Sequence, residues 1–135
     1  MIEANVQMAR RGFEAASAGA FDVIGALLDS DVKWHGGDPS AVGSCQNRGQ
    51  ALEFMRRAYE NGRLGELVDG LGAGDKVVLT MRPPPQGGKQ SPWVANLATF
   101  DGGNVVEMVH YSNPDDAIAF AGIRTRRPAQ NLQRR

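Results

Sequence analysis

The chain has 135 residues, which is enough for one domain whose hydrophobic core needs no disulfide or metal to fold. Fifteen Lys and Arg residues balance fifteen Asp and Glu residues, and no stripe of basic and aromatic side chains marks a phosphate track, so no nucleic-acid partner is expected. The single cysteine, Cys45, excludes an intramolecular disulfide, and the two histidines form no Cys/His cluster with zinc-ligand spacing.

The N-terminal segment lacks the basic start, apolar run and cleavage site of a secretory signal, and no window is apolar for long enough to cross a bilayer. A cytoplasmic protein without a membrane partner is therefore expected. The glycine-rich segment Gly70 to Gly74 lacks both the βαβ context and the lysine of a phosphate loop. No nucleotide, metal or other cofactor is expected.

Helical periodicity dominates the first part of the chain. A helix is predicted from residue 2 to 18 because apolar residues recur on one face, namely Ile2, Val6, Ala9, Phe13 and Ala16. The segment FDVIGALLD predicts a second helix, and the two form a hairpin that needs an apolar surface to pack against. The next segment, DVKWHGG, alternates like a strand, with Trp34 on one face and His35 on the other.

A polar loop precedes a third predicted helix, QALEFMRRAYENG, in which Tyr59 shares the apolar face and Gly62 provides the stop. The pattern then changes to period two. Two strands are predicted in LGELVDGLGAGDKVVLTMR, one in SPWVANLATF, and a last one in NVVEMVHY after the hairpin signal DGG. A short helix, DDAIAFAG, follows, with Asn113 or Asp115 as its cap. The basic segment 123–135 is predicted to be a flexible tail.

Helices followed by consecutive antiparallel strands predict an α+β domain in which the helices cover one face of a curved sheet. The ordered pieces resemble the nuclear-transport-factor-2-like superfamily, and within it the SnoaL-like polyketide cyclases and limonene-epoxide-hydrolase-like proteins. The similarity rests on the helical hairpin, the strand DVKWHG, the loop ending in NRGQALEFMRR, the strand ending in Arg82, and FDGGNVVEMVHYSNPDDAIAFAG. It covers residues 1–122.

This resemblance implies a cone-shaped α+β barrel, open at one end, with an apolar pocket for a small hydrophobic molecule. It also implies a homodimer formed through the outer face of the sheet. Trp93 and Asn96 lie on opposite faces of their predicted strand, so one of them faces outward, and the sequence leaves open which one. Because the superfamily includes both enzymes and proteins without chemistry, the fold does not decide the function.

His110 is the first candidate catalytic residue. The resemblance places it where related enzymes have an aspartate before a tyrosine on the last strand, and an imidazole there could move a proton to or from carbon or water. The alternative is a strand-end histidine bonded to a carbonyl or a carboxylate. The resemblance also assigns Arg82 an orienting role, in which it could polarise a carbonyl or hold an enolate oxygen. The resemblance also places an aspartate two residues after Arg82; Pro84 stands there instead, which argues against epoxide opening. The alternative is an arginine exposed to water.

The other expected substrate-binding residues surround these two on the predicted strands and the third helix: Trp34, Met108, Tyr111, Thr80 and Tyr59. Core packing is the alternative role of Trp34. His35 is expected at the surface; a pocket role is the alternative, and a bulge in its strand would reverse the assignment. The strand carboxylates Glu107 and Asp69 are expected on solvated faces without a partner.

Two functions from different classes remain open. The first is a small cofactor-independent lyase, isomerase, cyclase or hydrolase that acts on a hydrophobic carbonyl compound by acid–base catalysis at His110. The second is a dimeric module of the same fold that binds a small molecule without chemistry. A third possibility, a closed cavity and a role of the outer surface alone, depends on Trp34 and Met108 filling the pocket.

Overall fold

The computed structural model describes residues 2–123. It contains four helices and five strands within this range: α1 (Ile2–Ser17), α2 (Phe21–Leu27), β1 (Leu28–His35), α3 (Arg48–Glu60), β2 (Glu66–Ala73), β3 (Lys76–Arg82), β4 (Val94–Asp101), β5 (Asn104–Tyr111) and α4 (Pro114–Ala121). The prediction of a flexible tail lies, from residue 124 onward, outside the described residues.

The five strands form one sheet in the order β1-β5-β4-β3-β2. Strands β2 to β5 pair antiparallel with their neighbours, as the sequence predicts. The difference lies at the edge, where β1 pairs parallel with β5. After β1 the chain passes through α3, which lies on the face covered by the helices, and then enters β2 at the opposite edge of the sheet. Strands β1 and β2 are therefore the two edge strands. The implied barrel is therefore an unclosed curved sheet.

Helices α1, α2 and α3 cover one face of the sheet, which confirms the α+β prediction. Their buried residues, including Val6, Ile24 and Met55, pack in one cluster with the side chains of β3, β4 and β5 that point toward them, such as Leu79 and Ala98. Burial of this apolar surface is the main stabilising contribution to the arrangement.

Helix α4 lies on the opposite face of the sheet. Its buried Ala117 packs with Val78, Ala95 and Leu97 in a second, smaller cluster. The side chain of Asn113 accepts a hydrogen bond from the backbone N–H of Asp115 at 3.0 Å and caps the first turn. Each face of the sheet therefore has its own apolar cover, and the face under α1, α2 and α3 is the one that contains a cavity.

Three register shifts interrupt the strand pairs. They fall between Leu28 and Lys33 in β1, between Leu67 and Asp69 in β2, and between Thr99 and Phe100 at the β4–β5 pair. Such bulges bend a strand, increase its twist and change which side chains share a face. The shift in the β4–β5 pair decides the composition of the site described below. No helix within residues 2–123 has both the length and the apolar character needed to span a lipid bilayer.

Candidate functional site

A cavity of about 330 Å³ lies between the helices α1 to α3 and the sheet face that they cover. Its walls are mostly apolar, with Phe13 from α1, Ile24 from α2, Met55 from α3 and Phe100 from β4 among the lining residues. Ligand pockets usually range from about 300 to 1,000 Å³, so this cavity is sized for a small molecule. Because the space is present, the closed cavity considered from the sequence is wrong.

His110 contributes an imidazole to the mouth of this cavity from near the end of β5, where one side of the residue lines the cavity and the rest is exposed. Within the described residues its ring makes no hydrogen bond and no ion pair, so both ring nitrogens are open to a ligand. Desolvation among the apolar lining residues lowers the pKa of His110 below its ordinary value of 6.5. The ring is therefore neutral at pH 7, which is the form that can accept a proton.

Asn96 lies directly across from His110 on the neighbouring strand and also lines the cavity. Side chains in such a cross-strand pair have Cβ atoms about 4.5–5.5 Å apart. The amide of Asn96 is poorly satisfied by residues 2–123: Oδ1 is buried without a hydrogen-bond partner among them, and Nδ2 has only a weak contact with Met81 Sδ at 4.0 Å. An amide and an imidazole that both lack strong partners thus share one wall.

Trp34 and Met108 also line the cavity, at the positions where they were expected. They are neighbours in the parallel pair of β1 and β5. The Trp34 ring meets the Phe54 ring edge to face, with centroids 5.0 Å apart and an interplanar angle of 72°. These side chains provide a flat apolar wall on the β1 side, and their contact with a ligand stays a prediction.

Two of the expected site residues, Thr80 and Arg82, are not among the lining residues. Strand alternation in β3 directs Leu79 and Met81 into the cavity, so Thr80 and Arg82 belong to the other face. The Arg82 guanidinium pairs with Glu66, with Nε 3.1 Å from Oε1. The expectation that Arg82 and Thr80 face the pocket is wrong, and Arg82 has the exposed strand-end position that was its alternative.

Tyr111 and Tyr59 also lie away from the cavity lining. Because Tyr111 follows His110 on the strand it points to the opposite face, where its ring lies 6.4 Å from that of Phe120 in α4. Tyr59 packs edge to face on Phe21 with centroids 5.8 Å apart. Their expected positions in the pocket are wrong for the same reason: adjacent residues of an element point in different directions.

His35 is buried, with 8% of its surface exposed, so its expected surface position is wrong. Its Nδ1 accepts a hydrogen bond from Gly37 N–H at 3.0 Å, which leaves the proton of the neutral ring on Nε2, where it is donated to Glu107 Oε2 at 2.7 Å. Glu107 therefore has a partner that the sequence did not reveal. Asp69 also has one, since Arg10 Nη2 lies 4.0 Å from its Oδ1.

Asn96 and Arg63 are lining residues that sequence reasoning did not select for the site. Asn96 was considered only for the parity of its strand. The structure resolves that parity, because Asn96 faces the cavity while Trp93 lies before β4 and is 48% exposed. Arg63 lies in the loop that follows α3, and its only sequence signal is a lone charge between Gly62 and an apolar residue. No group of three metal-ligating side chains occurs in the described part of the chain.

The fold and the cavity together define a small α+β protein with an apolar, ligand-sized pocket and few polar groups. A family model described as a SnoaL-like domain matches residues 9–108. The chain therefore belongs to the SnoaL-like domain family. No protein with a curated description matches the sequence.

Solved structures show the same fold. Bal32a, from a soil-derived mobile gene cassette, is 24% identical, with 82% of this chain and 89% of that chain covered and a TM-score of 0.69. A provisionally named ketosteroid isomerase from Kribbella flavida is 18% identical, with 81% of this chain and 77% of that chain covered and a TM-score of 0.68. A provisionally named polyketide cyclase from Sinorhizobium meliloti is 14% identical, with 77% of this chain and 93% of that chain covered and a TM-score of 0.64. Proteins described as NTF2-like also match. These identities establish the fold alone.

Proposed function

We propose that the protein is a small cofactor-independent enzyme of the lyase, isomerase or cyclase type, acting on a hydrophobic carbonyl compound in the cavity. One observation carries the proposal: a partner-free imidazole, His110, lies across from the poorly satisfied amide of Asn96 in an otherwise apolar pocket. Clusters of a titratable group with a lowered pKa and a hydrogen-bonding group in a pocket are typical of functional sites.

The chemistry begins with proton transfer from carbon. Neutral His110 accepts a proton from the carbon next to the substrate carbonyl, the C–H electron pair forms a carbon–carbon double bond, and the carbonyl π pair moves to oxygen. The Nδ2 of Asn96 donates a hydrogen bond to the resulting enolate oxygen, the role for which Arg82 was expected. When the substrate also carries a carbon–carbon double bond in the β,γ position, the product of this step is a dienolate, and return of the proton from His110 to its γ carbon completes an isomerisation. When the enolate carbon instead attacks a second carbonyl group of the substrate, a ring closes and the new alkoxide oxygen takes the proton from His110.

The apolar walls support this assignment in two ways. They bind the hydrophobic part of the substrate, and they lower the effective dielectric around the amide of Asn96, so that one amide hydrogen bond has a larger effect than it has in water. The solved neighbours with isomerase and cyclase names are consistent with this class of reaction. The homodimer and the cytoplasmic location expected from the sequence stay predictions.

The assay is deuterium incorporation from D₂O into the carbon next to the carbonyl of mono- to tricyclic ketones such as 2-tetralone, followed by proton NMR. His110→Gln should slow the exchange by at least about a hundredfold, because general acid–base catalysis contributes at least that much. Glu60→Gln, on an exposed side of α3, is the matched control and should exchange at the wild-type rate. Equal rates in wild type and His110→Gln would rule out His110 as the base.

A second function, ligand binding without chemistry, is favoured by a specific observation. No carboxylate lines the cavity within the described residues, so His110 lacks the orienting acid that many catalytic histidines have. The same ketones separate the two functions. A thermal shift of several degrees at saturating ligand, without any exchange that depends on His110, would identify a binding protein.

A further inference from the structure

We propose that the ligand is an amphipathic acid, whose apolar body fills the cavity while its carboxylate pairs with Arg63 at the rim. This inference rests on the proposed function, since it specifies the class of molecule that the same cavity takes. It starts from Arg63, which lines the cavity, is exposed, and has no ion pair within the described residues.

The position of Arg63 is fixed from both sides. Before it, α3 ends at Glu60, and the backbone N–H of Arg63 donates to the carbonyl of Ala58 at 2.8 Å. After it, Gly65 is pressed against β3, where a Cβ on this glycine would lie 2.1 Å from the carbonyl oxygen of Arg82. The loop therefore holds Arg63 at a defined place, and only its side chain is left to move.

That place is the end of the sheet at which His110 lies. Residue 66 pairs with Arg82 at the end of β3, and Met81 pairs with Val94 at the start of β4. Two residues further along β4, Asn96 faces His110 near the end of β5. Arg63 and His110 thus belong to the same rim, while Phe100 and Val105 line the cavity toward the other end of these strands.

The charges of the rim favour an anion. Arg63 is the one lining residue in the described chain with a permanent charge, and no Asp or Glu lines the cavity to neutralise it. The lowered pKa of His110 makes that ring neutral at pH 7, so His110 does not attract the carboxylate away from Arg63. A guanidinium matches a carboxylate with two parallel hydrogen bonds. An apolar molecule that carries one carboxylate satisfies both the walls and the rim.

The probes are 2-naphthoic acid and its methyl ester, which share an apolar body and differ in charge. Dissociation constants are measured by isothermal titration calorimetry on wild type, Arg63→Gln and Arg11→Gln. Arg11 is an exposed residue of α1 outside the cavity lining, so its variant makes the same change in net charge. Wild type should bind the acid about tenfold or more tightly than the ester, as expected for charge-assisted hydrogen bonds.

Arg63→Gln should weaken binding of the acid by about tenfold and leave binding of the ester unchanged, which also shows that the variant is folded. Arg11→Gln should bind both probes like wild type. The assignment of an acid is overturned if wild type binds acid and ester equally, or if both variants lose acid binding to the same extent. In either case the cavity still binds an apolar ligand, so the proposed function is not affected. If neither probe binds any of the proteins, the proposed ligand site itself fails, and this inference fails with it.

Discussion

Replacing Asn96 by leucine should make the protein more stable while it removes function. The Oδ1 atom of Asn96 is buried without a partner in the part of the chain that the structure describes, and such a group loses its hydrogen bonds to water on folding without gaining others. A leucine has no polar atom to desolvate, and the adjoining cavity of about 330 Å³ has room for its larger side chain. Polar groups that are kept at an energetic cost are typical of sites where activity matters more than stability.

The expected gain equals the desolvation penalty that disappears, about 1–3 kcal/mol in the free energy of unfolding. For a chain of this length 1 kcal/mol corresponds to a change of about 4 °C in melting temperature. Asn96→Leu should therefore raise the melting temperature by about 4–12 °C. Its enolate-stabilising hydrogen bond is lost at the same time, so exchange of ketone protons should slow.

The assay is thermal and urea unfolding of Asn96→Leu beside Asn47→Leu, which makes the same chemical change at a satisfied amide. Asn47 caps α3, and its Oδ1 accepts a hydrogen bond from Gln50 N–H at 2.9 Å. Loss of this cap should cost about 0.5–2 kcal/mol, opposite in sign to the effect at position 96. If Asn96→Leu melts at or below the wild-type temperature while Asn47→Leu behaves as expected, the amide of Asn96 is satisfied in the folded protein and the reasoning is refuted.

Because partial desolvation by the cavity walls lowers the pKa of His110 below 6.5, the unfolded chain takes up this proton first as the pH falls through 6.5, and stability declines toward acid pH. His110→Phe should show a smaller decline by urea unfolding, and an unchanged slope would argue against desolvation of the ring in the folded protein. Glu107→Ala should lower the free energy of unfolding by about 1–3 kcal/mol, because it leaves the buried Nε2–H of His35 without an acceptor. Glu107→Gln keeps an acceptor and should lower it less, and equal losses in urea unfolding would contradict this role of Glu107. Gly65→Ala should lower the free energy of unfolding by about 1–3 kcal/mol or more, because the new Cβ meets the backbone of β3. Gly36→Ala has open space around it and should change stability by less than about 0.5 kcal/mol. Similar denaturation midpoints for the two variants would contradict the close approach of Gly65 to β3.

The elements could be predicted because their signals are local. The stripe on α1, the hairpin glycines at 102 and 103, and a cap at Asn113 or Asp115 each act over a few residues. The structure confirms the first two and assigns the cap to Asn113. The parallel edge pair of β1 with β5 could not be predicted in this way. It joins segments about 75 residues apart in sequence, and the pattern of one strand does not specify its partner.

The site was only partly predictable because a bulge determines which residues share its wall. The hairpin pairs Asp101 with Asn104, and an uninterrupted ladder from there would place Asn96 opposite Val109 and direct His110 to the other face. The register shift between Thr99 and Phe100 moves the pairing by one residue, so Asn96 meets His110. The resemblance led us to expect Trp34, Met108 and His110 in the pocket, whereas the pairing of His110 with Asn96 depends on this shift and could not be predicted.

Long-range contacts explain the remaining differences. His35 looks like a surface residue beside two glycines, and only the parallel pairing of β1 with β5 brings Glu107 to its ring. Arg63 looks like an ordinary loop residue until the close packing of Gly65 on β3 places the loop at the rim of the cavity. Tertiary contacts of this kind leave no periodic signal in the sequence.

An NMR titration of the imidazole signals tests most directly the claim that His110 is a neutral base open to a ligand in the cavity. The chain has two histidines, so the Cε1–H signal that disappears in His110→Gln belongs to His110. We expect this signal to titrate below 6.5, the ordinary pKa of histidine, and to shift when 2-tetralone fills the cavity. A His110 signal that titrates at or above 6.5 and does not move with saturating ligand would contradict the account.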